Sequence, residues 1–177
     1  MLKTLRQISR IGIVSEPAPP PDESLRAPDE GGLRRELQER ILAIVGRALC
    51  IRAVDAGSCN GCELEIHALN NPLYNIEGLG IRFVASPRHA DLLLVTGPVS
   101  SQMEYALLQT YEATPDPKLV VAIGDCGCTG GVFGESYASR GRVSNVIPVD
   151  VAVPGCPPAP NRILSGILTA IRAARPA

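Results

Sequence analysis

Two short apolar runs, Leu92–Val95 and Leu119–Ile123, constrain the fold of this chain more than any other feature. They have the length of buried strands, and each sits between stretches of helical periodicity. Leu33, Leu37, Ile41, Val45 and Leu49 recur every fourth residue, with Arg34, Glu36, Glu39 and Arg40 between them. That spacing predicts an amphipathic helix, supported by the i,i+4 pairs Arg35–Glu39 and Glu36–Arg40. A strand over Ile51–Ala56 follows, ending at Gly57, and a second helix begins near Cys59 and stops at Asn70–Asn71–Pro72. Gly80–Ala85 and Asp91–Thr96 read as strands, Gln102–Ala113 as a helix and Lys118–Ile123 as a strand. Asn145–Val153 alternates in part, like a strand. The last helix, Pro160–Ala174, sets Ile163, Leu164, Ile167, Leu168 and Ile171 on one apolar face. Strands alternating with helices predict an α/β sandwich with a largely parallel sheet.

The chain has 177 residues, 45% hydrophobic and 20% charged, enough apolar material for one core. Five of its 16 prolines fall between Pro17 and Pro28. Such a segment favours extended polyproline geometry and cannot build a core. Residues 1–32 are therefore expected to be a leader and a Pro-rich arm, or a disordered tail, with the α/β domain at 33–177. A net charge of −1 and 3% aromatics argue against nucleic-acid binding. No run approaches the ~18 apolar residues of a membrane span, and no apolar stretch follows Lys3, Arg6 and Arg10 as in a secretory signal. A cytosolic setting is expected. Thiols stay reduced there, so six cysteines read as metal ligands or reactive groups before disulfides.

Cys59-Asn60-Gly61-Cys62 has the C-x-x-C spacing that serves zinc, iron–sulfur or dithiol chemistry alike. Position narrows the choice. Cys59 follows one strand, Cys126 another and Cys156 a third, and sites in open α/β sheets form at the carboxyl ends of strands. Gly57, Gly61, Gly124, Gly127, Gly130, Gly131 and Gly155 flank these cysteines. Glycines admit a bulky cluster and aim amide donors at its sulfurs, which favours iron–sulfur over zinc. Glu63 after Cys62 excludes a c-type haem site, and a dithiol would leave Cys126 and Cys156 unexplained. Cys50 reads as a small buried hydrophobe at the end of an apolar helix. The Gly-rich segment 124–134 lacks the Lys-Ser/Thr ending of a P-loop.

The strings SCNGCELEI (58–66), SPRHADLLLVTGPV (86–99), IGDCGCTGG (123–131) and IPVDVAVPGCPP (147–158) resemble the 20 kDa subunit family. That family includes the 20 kDa subunit of complex I and the small subunits of membrane-bound [NiFe] hydrogenases and formate hydrogenlyases. The resemblance implies a flavodoxin-like three-layer sandwich and one [4Fe–4S] cluster, with Cys59, Cys62, Cys126 and Cys156 as its ligands. It implies an electron-transfer subunit of a hydrogenase or formate hydrogenlyase complex, held at the cytoplasmic face of the inner membrane by its partners. Those partners would be a large catalytic hydrogenase-type subunit, a ferredoxin-like subunit and integral membrane subunits. The alternative is the 20 kDa subunit of NADH-quinone oxidoreductase, delivering electrons to quinone. The complex I branch usually carries adjacent cysteines where this chain has Gly61–Cys62, and C-x-x-C followed by an acidic residue is similar to the hydrogenase branch. Cys128 is additional to the family pattern, which leaves the third ligand less settled. Glu65 matches the family's acidic residue after the cluster cysteines, a candidate proton relay or simply a capping or solvated glutamate. His67 reads as an interface or surface histidine. Arg88, with His89 in the SPRHAD turn, reads as positioning the cluster loop or a partner carboxylate, or as steadying the turn.

Overall fold

The computed structural model describes residues 30–173, together with Arg6 and Arg10. Most of the expected leader and Pro-rich arm thus lies outside the described residues. In chain order the elements are α1 (Glu30–Val45), β1 (Leu49–Asp55), α2 (Gly61–Ala68), β2 (Ile81–Phe83) and β3 (Leu92–Thr96). They continue with α3 (Glu104–Ala113), β4 (Leu119–Ile123), α4 (Gly124–Thr129), β5 (Val151–Val153) and α5 (Pro160–Ala173). Single 3-10 turns occupy Ile76–Leu79, Pro87–His89 and Val143–Asn145.

All five strands run parallel, in the order β2-β1-β3-β4-β5. This is the doubly wound, flavodoxin-like arrangement, whose strand order reverses between β1 and β3. The uninterrupted apolar runs follow from it, because helices cover both faces of the sheet. Leu92, Leu94, Val121 and Ile123 face a core layer built with α1, α2 and α5. Leu93, Val95, Val120 and Ala122 face the other layer, closed by Leu107 of α3 with Val143 and Ile147. An ion pair from Arg172 to Glu36 ties α5 to α1 on the outside of the first layer.

Three local expectations change. Leu49, the last residue of the every-fourth pattern, opens β1, because α1 stops at Val45 and residues 46–48 turn the chain. Cys50 therefore sits in a strand and not at a helix end, although it is buried as expected. The partly alternating stretch 145–153 contributes only Val151–Val153 to the sheet. Pro148 has no N–H to offer a ladder, which shortens the strand from its amino end. The glycine-rich segment after β4 forms the short helix α4.

The register brings four strands to a flush end. Asp55 pairs with Thr96, Thr96 with Ile123, and Ile123 with Val153. Every loop that carries one of the four family-pattern cysteines starts from that edge.

Candidate metal centre

The turn after β1 is shaped by its own side chains. Asp55 Oδ1 accepts the backbone N–H of Gly57 (2.8 Å) and of Ser58 (2.7 Å), and Ser58 Oγ accepts that of Asn60 (3.2 Å). Asn60 adopts a left-handed conformation, φ 73°, immediately before α2. The result exposes Cys59 on the turn and buries Cys62 in the first helical turn. A second anchor joins the other two cysteine loops. Asp125 donates its N–H to the Gly155 carbonyl and accepts the Gly155 N–H on Oδ1, both at 2.8 Å. The loop of Cys126 is thereby locked to the loop of Cys156.

Two glycines hold the thiols closely. A methyl group at Gly124 would lie 2.6 Å from Cys62 Sγ, and one at Gly131 would lie 2.9 Å from Cys126 Sγ. Both residues also have positive φ, 83° and 55°, which a side chain would strain. Gly124 and Gly131 form walls that only a missing Cβ permits.

The electrostatics mark the four thiols as one group. Burial pushes the Cys62 thiol up to about 12, and the charges of Glu63, Cys59, Cys126 and Cys156 add to the rise. Cys126 is raised by burial first and then by Cys156, Cys59 and Asp125. Thiols that disfavour one another's ionisation can all be thiolates only when a cationic centre lies among them. The donor set fits an iron–sulfur cluster, in which each cysteine binds a different iron. Among the described residues no three His, Cys, Asp or Glu side chains converge closely enough to close on a single metal ion.

Cys128 stands apart. Its thiol is pushed up to about 11 by burial, opposed by a hydrogen bond from the Val153 backbone and raised further by Asp125. None of the other cysteines acts on it, and its Sγ lies 3.7 Å from the Ala122 carbonyl. Residues two apart on a helix point in different directions, so Cys126 faces the cysteine group while Cys128 faces the sheet. Cys50 lies at the opposite end of β1, its Sγ 3.7 Å from the Arg47 guanidinium.

Arg88 does not position the cysteine loops. The Pro87–His89 turn lies between Val84, whose N–H donates to Ile51 O, and Asp91, whose N–H donates to Cys50 O. That level is four residues of β1 from Asp55, roughly 13 Å at ~3.3 Å per residue. Arg88 and His89 are exposed there, and His67 is exposed in the last turn of α2. Glu65 is half-buried on α2, and the carboxylate whose charge acts on Cys62 is that of Glu63. Glu63 is itself held at both oxygens, by Ser58 Oγ (2.7 Å) and by Thr96 Oγ1. The sequence shows Glu63 only as the acidic residue after C-x-x-C. Its partner Thr96, 33 positions away, carries no local signal.

Comparison with known proteins agrees with this arrangement. The family described as NADH ubiquinone oxidoreductase, 20 Kd subunit, matches residues 59–170, from the first cysteine of the group into α5. The probable membrane-bound hydrogenase subunit mbhJ of Pyrococcus furiosus is 48% identical over 141 residues, covering 78% of this chain and 84% of that protein. Formate hydrogenlyase subunit 7 of Escherichia coli is 42% identical over 135 residues, covering 76% of this chain and 53% of that protein. Among solved structures, a chain of the membrane-bound sulfane sulfur reductase, an archaeal respiratory membrane complex, superposes with a TM-score of 0.63 at 32% identity. That match covers 76% of this chain and 75% of the other. With the motifs, the sheet order and these relatives in agreement, the chain belongs to the NADH ubiquinone oxidoreductase 20 kDa subunit family.

Proposed function

We propose that this chain is the electron-transfer subunit of a membrane-associated hydrogenase or formate hydrogenlyase complex, holding one [4Fe–4S] cluster through Cys59, Cys62, Cys126 and Cys156. The observation that carries it is the mutual action of thiols from three separate loops at one flush sheet edge. Bound there, the cluster would supply one-electron storage. The protein's own part is to hold four ligands at fixed positions, to leave room through Gly124 and Gly131, and to bury Cys62 from water. Electron transfer at a fixed site needs little reorganisation, and the hydrogen-bonded turns after β1 and β4 provide that rigidity.

The site is open on one side, with Cys59 and Cys156 exposed. Leu64 (61% exposed), Val132 (96%) and Phe133 (61%) are apolar side chains within a few residues of Cys62 and Gly131. Apolar groups left in water beside an oxygen-sensitive centre mark a docking face. We place the large catalytic subunit on it, with Glu65 within that covered face as a candidate proton relay. Among the described residues no helix is long and apolar enough to cross a membrane, so association with the cytoplasmic face would come through integral membrane partners. A ferredoxin-like subunit would carry electrons onward, and the Pro-rich arm would lie along the assembly, since an extended segment loses little entropy on docking.

Iron and acid-labile sulfide content, with electron paramagnetic resonance after reduction, tests the reading. About four irons per chain is the expected result, and stoichiometric zinc without iron would overturn it. A second reading, the 20 kDa subunit of NADH-quinone oxidoreductase, is favoured by the family description alone. Four nickel-binding cysteines in the copurifying large subunit select the hydrogenase reading, and their absence selects quinone or another acceptor.

A further inference from the structure

The β1–α2 loop and β3 meet where the strand order reverses, and the contact between them is a buried polar one. Thr96 ends β3 with 1% of its surface exposed, and its Oγ1 lies 3.3 Å from the Val54 carbonyl and against Glu63 Oε1. The other Glu63 oxygen accepts from Ser58 Oγ at 2.7 Å, and Ser58 Oγ in turn receives the Asn60 N–H of the cysteine turn. Glu63 follows Cys62 directly in the first turn of α2. With both oxygens taken, its carboxylate cannot rotate out to solvent.

We propose that Glu63, pinned by Ser58 and Thr96, is a positioning and potential-setting residue for the centre held by Cys59, Cys62, Cys126 and Cys156. The inference rests on the iron–sulfur reading of that site. A fixed negative charge beside the centre opposes the arrival of an electron, and screening is weak where water is excluded. The same contacts hold the cysteine turn against β3, so the charge and the ligand geometry are set by one device. The charge of Glu63 acts on the Cys62 thiol more strongly than that of any other group nearby, which agrees with this placement.

The test uses the purified complex that contains this chain. Iron and sulfide are counted, and the midpoint potential is read by a redox titration followed by electron paramagnetic resonance, with the signal assigned by its loss in Cys62→Ser. Glu63→Gln keeps the shape and removes the charge. It is expected to raise the midpoint by as much as a tenfold change in the reduced-to-oxidised ratio, about 59 mV for one electron. Glu63→Asp keeps the charge and should stay closer to wild type. Should Glu63→Gln fail to assemble, Thr96→Val carries the test: it frees one carboxylate oxygen and should give a smaller shift in the same direction. A wild-type complex with no Cys62-dependent signal overturns the iron–sulfur reading. A Cys62-dependent signal with the same midpoint in wild type and Glu63→Gln, or in wild type and Thr96→Val where that variant stands in, overturns this inference alone.

Discussion

The two edges of the parallel sheet are finished in opposite ways. At the amino edge, Asp91 accepts the Cys50 N–H at 2.9 Å and pairs with Arg47 at 2.6 Å, while Asp150 accepts the Val120 N–H at 2.7 Å. Each carboxylate there answers a donor from the chain itself. At the carboxyl edge the loops bring together four thiols that oppose one another's ionisation, with only carboxylates close by. One edge is electrostatically complete. The other requires a positive centre from outside, and this asymmetry distinguishes a structural end from a functional one.

The comparison is most sharply tested by two cysteines on the same strand and loop. Cys62→Ser should abolish the iron signal and the activity of the complex, whereas Cys50→Ser, at the finished edge, should leave both near normal. Metal analysis of the two purified variants decides it. A smaller but still large effect is expected at Gly124→Ala. The added methyl meets Cys62 Sγ at 2.6 Å and sits at φ 83°, so about 1–3 kcal/mol of stability should be lost. Iron content should fall with it, and chemical denaturation with iron counting reads both.

Asp91→Ala attacks the opposite edge. It leaves the Cys50 N–H without its acceptor and Arg47 without its ion pair, at a cost of about 1–2 kcal/mol. Iron per folded chain should stay unchanged; a loss of iron would show that the two edges are not independent. The smallest effect concerns the metal-free chain. The Cys62 thiol is pushed up to about 12 from an ordinary value of 9.0. The unfolded chain therefore gives up its proton first as pH rises, so stability is retained below about pH 9 and declines toward pH 12. Cys62→Ser should flatten that decline in a pH series of thermal melts.

Much of this organisation is legible in the residues. Leu92–Val95 and Leu119–Ile123 announce buried parallel strands because burial on both faces leaves no polar alternation. Cys59, Cys126 and Cys156 announce their edge because each follows a strand by three or four positions. The end of α1 is hidden because Leu49 continues a four-residue rhythm into a strand that also needs an apolar residue there. Helix α4 escapes notice because six residues, two of them glycine, carry no periodicity. The Glu63–Thr96 contact is invisible for a different reason: it joins a helix to a distant strand, and no local pattern encodes a pairing made by topology.

The short edge strand β5 has a mechanical consequence. Its three residues pair with β4 alone, yet Cys156 hangs from its end. A centre bound by cysteines from β1, β4 and β5 would act as a rivet through the sheet, fastening its least supported member to its middle. Amide exchange should then slow most along Val151–Val153 when iron is loaded, and the border of the sheet should melt together with its centre instead of before it.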